Sequence, residues 1–261
     1  MSHSLPSYSP TSGARAGSTD AVVFLHSLGG SAADWSAEMD ALSSDHRVIS
    51  VDLPGFGAAP VPATGTTLAA YADEVLDVLN GLGVAAATLV GLSMGGMVAL
   101  QAAVRRPDRV AGLVLCSTTA RVDDAVNAIL GSCGGAIAAA GMAGFADGMV
   151  QQIFSPQMLL EPTPQAAAYI ANLRASEPAG FISAASAIAG HDVEARLGEL
   201  SCPALVIHGE ADALIKPANG VRIASLIHGA KLELYPGCWH MTPLEEPLRF
   251  QKQLAAFISS I

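Results

Sequence analysis

The sequence predicts an α/β fold, a mostly parallel central sheet flanked by helices. Two observations carry this. Short apolar runs recur at 21–26, 47–53, 88–92, 110–117, 204–209 and 231–235. Several are nearly continuous in Val, Leu and Ile rather than alternating, as strands buried on both sheet faces require. Between the runs lie segments with a helical apolar stripe. Trp35, Met39 and Leu42 share one face, as do Leu68, Tyr71, Ala72, Val75, Leu79 and Leu82. Phe250, Leu254, Phe257, Ile258 and Ile261 form a third stripe after Pro247, a residue suited to a helix start. Strands that alternate with helices pair in parallel through crossovers.

Composition narrows the class. The 261 residues are 51% hydrophobic, 14% charged and 5% aromatic, so the core is aliphatic and disorder is excluded. A net charge of −10 without a Lys/Arg cluster excludes a nucleic-acid surface. The most apolar long stretch, 131–144, is shorter than the ~20 residues of a membrane span. The segment 1–20 is polar and rich in Ser, Pro and Gly, unlike a signal peptide. Cys116, Cys133, Cys202 and Cys238 are scattered, which reads as free thiols and a cytoplasmic location. Strand–helix alternation lapses over 119–189, a stretch rich in Ala and Gly and interrupted by Pro156, Pro162, Pro164 and Pro178. The expected organisation is therefore a polar segment over 1–20, a core from 21–118 and 190–261, and a helical cap over 119–189. Oligomeric state is not readable from the sequence.

The chemistry concentrates in Gly91-Leu92-Ser93-Met94-Gly95-Gly96. This G-x-S-x-G follows a predicted strand and opens a predicted helix. So tight a reversal forces Ser93 into a strained conformation and requires small residues two before and two after it. The turn lifts the hydroxyl clear of the sheet and aims the Met94 amide at a reacting carbonyl, at a helix N-terminus.

A serine hydroxyl needs a base, and the base an orienting acid. His240 lies on the loop after 231–235, and Asp212 on the loop after 204–209. Open α/β sheets build their sites at such strand ends. Glu210 rivals Asp212; Asp123 and Asp124 are a third option. The other histidines suit lesser roles: His3 in the N-terminal segment, His46 at a strand start, His208 inside a strand, His228 at a helix end and His191 where the cap rejoins the core. His26 precedes Ser27-Leu28-Gly29-Gly30 and is expected to hold that loop in shape. The Leu28 and Met94 amides are the expected oxyanion donors, each typically worth ~10²–10³ in rate. Ser27, Met142, Phe145 and Trp239 are expected to contact substrate. Asp52-Leu53-Pro54-Gly55-Phe56-Gly57 reads as a structural loop, and Cys238 as packing rather than a nucleophile.

HSLGG at 26–30, DLPGFG at 52–57, GLSMGG at 91–96, VIHGEAD at 206–212 and GCWHMTPLEEP at 237–247 resemble the landmarks of the α/β-hydrolase superfamily, in its order. The loop and short cap look like the branch of 3-oxoadipate enol-lactonase and related esterases. Ser27 stands where the superfamily usually has glycine, and the usual opening strand pair is short. The resemblance implies a small helical cap inserted after the sixth strand. It implies a Ser–His–Asp hydrolase of a small-molecule ester or lactone, acting through an acyl-enzyme. It excludes the aspartate-nucleophile dehalogenases and epoxide hydrolases of this fold. No metal-ligand spacing or phosphate loop followed by Lys occurs, so no cofactor is expected. The alternatives are a carbon–carbon bond hydrolase of meta-cleavage type, a cofactor-free perhydrolase or acyltransferase, and a ligand-binding receptor that retains the triad. Within 119–189, two cations, Arg121 and Arg174, face five acids, Asp123, Asp124, Asp147, Glu161 and Glu177. A neutral substrate is therefore expected over the anionic enol-lactone.

Overall fold

The computed structural model describes residues 8–10 and 20–261. The polar segment expected over 1–20 thus lies outside the described residues, save 8–10 and 20. Seven strands form one sheet among the described residues: β1 (Tyr8–Pro10), β2 (Asp20–Leu25), β3 (Val48–Val51), β4 (Ala86–Leu92), β5 (Val110–Cys116), β6 (Ala204–Gly209) and β7 (Lys231–Tyr235). Their order is β1-β3-β2-β4-β5-β6-β7. Only β1 is antiparallel, against β3. All six apolar runs are strands. β3 and β6 are buried throughout, whereas the edge strand β7 is half-exposed. Helices on both faces explain the difference between those runs and an alternating pattern.

Around the sheet lie α1 (Ser36–Leu42), α2 (Leu68–Gly81) and α3 (Met94–Arg105). Then come α4 (Asp124–Ile153), α5 (Pro156–Leu160), α6 (Pro164–Ala175) and α7 (Pro178–Ile188), all between β5 and β6. The chain closes with α8 (Pro217–Leu226), α9 (Thr242–Glu245) and α10 (Pro247–Ile258). Three of the four prolines of 119–189 begin helices rather than break them. Pro lacks an amide that the first turn could not pair anyway, and its fixed φ suits that turn. Asp123, Ser155 and Thr163 cap α4, α5 and α6 by accepting from the amides of Val126, Met158 and Ala166. The insertion follows β5, the fifth strand of the described residues. The expected position is after a sixth strand; residues 1–7 and 11–19 lie outside the described ones.

α4 runs well beyond 131–144. Its 30 residues are long and apolar enough to cross a membrane by length and composition. Gly141 breaks it, with φ 69° and ψ 168°. The pieces, 124–140 and 142–153, are each shorter than the ~20 residues of a span. Both pack one face inward, through Cys133 and Ile137 before the break and Met142, Ala146, Val150 and Ile153 after it.

The insertion joins the core through a two-stranded neck. The Val122 amide donates to the His191 carbonyl and the Val193 amide to that of Ala120, each at 2.9 Å. The His191 ring is buried and accepts from Gln101 Nε2 at 3.2 Å through Nδ1. Burial pushes its pKa down to about 4. The unfolded chain takes that proton near 6.5, so native stability is present above that pH and drains as pH falls toward 4. His191→Gln should flatten the loss of unfolding free energy between pH 7 and 4.5, by up to one proton, or about 1.4 kcal/mol per pH unit. Urea unfolding across that range measures it; parallel curves for both proteins would refute it.

Candidate active site

β4 delivers Ser93 and α3 leaves from it. Ser93 has φ 53° and ψ −114°, a region non-glycine residues avoid. Two bonds hold it there. Its amide donates to the Cys116 carbonyl at 2.8 Å, and its carbonyl accepts from Thr118 Oγ1 at 2.7 Å. The flanking glycines are obligatory. A Cβ on Gly91 would run into the backbone of Gly95, and one on Gly95 into the carbonyl of Leu25. The Met94 side chain is wholly buried; its amide lies in the first turn of α3, where no intrahelical acceptor exists.

Ser93, His240 and Asp212 meet in one buried line. Ser93 Oγ donates to His240 Nε2 at 2.9 Å, and His240 Nδ1 donates to Asp212 Oδ2 at 2.7 Å. Asp212 Oδ1 accepts from the amides of Leu214 and Ile215, both at 3.0 Å. Burial by itself would raise the Asp212 pKa. The charge of His240 and hydrogen bonds from His208 and His240 outweigh it and hold the carboxyl well below its usual range. Glu210 is exposed and uses its amide, not its carboxylate, in a bond to Tyr235. Asp123 and Asp124 are exposed at the start of α4. Cys238 is buried, and burial raises its thiol pKa, so it carries no thiolate at neutral pH.

The loop after β2 is braced from the core side. His26 Nδ1 donates to the Ser27 carbonyl at 2.8 Å, which also accepts from the Gly30 amide at 3.0 Å. His26 Nε2 accepts from the Leu53 amide at 2.9 Å. These bonds fix the tautomer, and burial pushes the ring pKa down to about 4. They also pin the Ser27–Leu28 peptide, whose other end is the Leu28 amide. Asp52 plays the structural part expected of its loop, accepting from the amides of Ala32 at 2.7 Å and Ala58 at 3.0 Å.

A cavity of about 450 Å³ opens above Ser93 and His240. Ser27, Leu28 and Phe145 line it; Met142 and Trp239 do not. Met142 follows the break at Gly141, which resets the helical phase. It joins the buried stripe of Ala146 and Val150, while Phe145 and Met149 turn to the cavity. Trp239 is half-buried beside His240, with its amide donating to Glu245 Oε2 at 3.4 Å.

Three residues at the site escaped the sequence reading. His208 Nε2 donates to the Ile215 carbonyl at 2.7 Å and lies 3.4 Å from Asp212 Oδ2. Its spacing, four residues before Asp212 at the end of the same strand, is a signal that was available. Glu245 accepts from the Ser155 amide at 3.3 Å and from that of Trp239, tying α4's far end to the His240 loop. Tyr169, from α6, lines the cavity beside Ser27. With Asp212 as the acid, Asp212→Asn should slow labelling of Ser93 by a fluorophosphonate at least a thousandfold, whereas Glu210→Gln should change it less than twofold. The opposite ranking would move the acid to Glu210.

The chain was compared with known proteins. The family model for the alpha/beta hydrolase fold matches residues 20–247. 3-Oxoadipate enol-lactonase 1 of Acinetobacter baylyi is 29% identical over 92% of this chain and 89% of its own. The enol-lactonase structure from Burkholderia xenovorans superposes with a TM-score of 0.90, at 28% identity over 97% of this chain and 96% of that one. A thermophilic esterase from Thermogutta terrifontis gives 0.85, at 28% identity over 97% and 93%. With its sheet order and the residues gathered at its strand ends, this chain belongs to the α/β hydrolase fold family.

Proposed function

We propose that the protein hydrolyses an uncharged carboxylic ester or lactone through an acyl-enzyme on Ser93, beneath a helical cap formed by 119–189. The observation that carries this is the unbroken hydrogen-bond line from Ser93 Oγ through His240 to Asp212, opening on an apolar cavity. His240 Nε2 takes the Ser93 proton as Oγ attacks the carbonyl carbon. The amides of Leu28 and Met94 stabilise the oxyanion. His240 returns the proton to the departing alkoxide, then activates water to release the acid. Asp212 keeps the imidazole in the Nδ1–H tautomer and balances its charge when protonated. The esterase and enol-lactonases among the related proteins support ester-type chemistry.

The cavity wall supports the uncharged substrate. Among the described residues, no Lys, Arg, Asp or Glu lines it. Arg174 is occupied at the surface by Asp147 at 2.6 Å, and Arg121 faces Asp192 at 3.8 Å. A substrate carboxylate in that wall would lie desolvated and unpaired. This argues against a strict enol-lactonase, whose substrate carries a free carboxylate. A carbon–carbon hydrolase, a perhydrolase and a non-turning receptor share the triad, and no particular residue here favours them.

Two measurements test the reading. Ser93→Ala should lower turnover of p-nitrophenyl esters by at least a thousandfold without loss of fold; a folded variant near wild-type rate would overturn the mechanism. Matched esters with and without a terminal carboxylate should differ in kcat/KM by more than tenfold in favour of the neutral one. Preference for the carboxylate ester, abolished in Arg121→Ala or Arg174→Ala, would restore the enol-lactonase reading.

A further inference from the structure

The loop that carries Leu28 is braced on its core side by His26, but its next peptide turns on Gly29. Gly29 sits at φ 81° and offers no Cβ to resist a swing. What covers it is the insertion. A Cβ at Gly29 would run into Leu173 of α6 and lie 3.3 Å from Phe181 of α7. From the same face Tyr169 reaches in. Its hydroxyl donates to the Leu28 carbonyl at 3.0 Å and accepts from Ser27 Oγ at 3.4 Å. The direction of this chain is fixed, because a carbonyl can only accept; the phenolic proton goes to Leu28, and the Ser27 proton to the phenol. The Tyr169 ring is fully buried and packs edge-on against Phe154, with ring centres 5.9 Å apart, so it is held independently of the loop. The Ser27–Leu28 peptide is thus pinned by the core and the Leu28–Gly29 peptide by the insertion. Together the two bonds leave the Leu28 backbone no soft torsion.

We propose that Tyr169 is a positioning residue of the oxyanion hole. Its hydroxyl, oriented by Ser27, fixes the Leu28–Gly29 peptide and keeps the Leu28 amide aimed at the oxygen of the carbonyl under attack. The role rests on the acyl-enzyme reading above. It gives Ser27 a function: the hydroxyl stands where a glycine would leave Tyr169 without its donor. It also means that the oxyanion site reaches full strength only with the insertion docked, since one of its two fixed peptides is held from there.

The test is Tyr169→Phe, which removes one oxygen and keeps the ring. Removing an oxyanion donor outright costs ~10²–10³ in rate, so loosening one should cost about tenfold. The loss should fall on kcat, with KM within twofold. The inhibition constant of an alkyl trifluoromethyl ketone, which forms a tetrahedral oxyanion on Ser93, should rise by the same factor as kcat/KM falls. Ser27→Ala should move both quantities in the same direction by less, and the double variant should be no worse than Tyr169→Phe, because both act through one hydroxyl. A folded Tyr169→Phe with kcat and ketone affinity within twofold of wild type overturns the proposal, as does a change confined to KM. If Tyr169→Phe fails to fold, Ser27→Ala decides, and unchanged ketone affinity there overturns it. Wild-type turnover that does not depend on Ser93 would instead defeat the acyl-enzyme reading. Ser93-dependent turnover with an indifferent Tyr169→Phe defeats this proposal alone.

Discussion

The strained turn at Ser93 is the constraint around which the rest of the core is arranged. A serine held at φ 53° is stable only if neighbouring elements overdetermine it. β5 supplies the Cys116 carbonyl, and the segment just after it the Thr118 hydroxyl, that anchor the serine's amide and carbonyl. β2 runs so close that Gly95 has no room for a side chain against the Leu25 carbonyl. Three adjacent strands therefore converge on one residue, and their register follows from it. The same crowding brings the end of β2, and with it the Leu28 loop, into the cavity that Ser93 lines. The burial of β4 on both faces keeps this arrangement rigid.

Around that turn, two histidines with the same ring serve opposite purposes, and environment decides which. His26 has both nitrogens committed, one to a carbonyl acceptor and one to an amide donor, and burial keeps it neutral. A proton on it would have to displace the Leu53 amide, so it can brace but not exchange protons. His240 spends one nitrogen on the Asp212 carboxylate and leaves the other facing a hydroxyl. That polarity, acid behind and hydroxyl in front, is what general-base chemistry needs. The four donors around Asp212 include two amides from its own loop, so its charge is supported even before His240 docks.

The fold and the Ser–His–Asp set were legible because each depends on local sequence. A buried parallel strand declares itself as a continuous apolar run, and an elbow needs its two glycines four residues apart, one on each side of the serine. What stayed illegible depends on phase and on distance along the chain. Met142 lies in a stretch whose helical face was unreadable until Gly141 was known to adopt a positive φ, which shifts every later side chain around the axis. Tyr169 meets Leu28 across 141 residues, and a tyrosine in an Ala-rich helix carries no mark of such a partner. His208 is the core histidine its strand position implies, and the same ring also reaches Asp212. One buried ring can fill the core and support a carboxylate at once.

The insertion holds the site from both sides, and this has consequences for how the cavity can work. On one side Tyr169 grips the Leu28 loop. On the other, the His240 amide donates to the Ile153 carbonyl at 3.1 Å, and Glu245 links Ser155 to Trp239. An insertion that swung free as a rigid body would break both sets of bonds and disorganise the proposed base, His240, and the proposed oxyanion donor, Leu28, together. Access is therefore better served by small movements of α4, whose break at Gly141 divides the wall above the site, than by wholesale opening. An apolar wall is compatible with that economy. With no charged side chain among its described lining residues, the cavity could hold the neutral substrate proposed above and exclude water at little electrostatic cost. The low dielectric so created strengthens the attraction between Asp212 and a protonated His240. A carboxylate bound in the same space would sit in the field of Asp212 and oppose it. The absence of charge from the cavity wall and the buried charge behind His240 are thus two parts of one electrostatic arrangement.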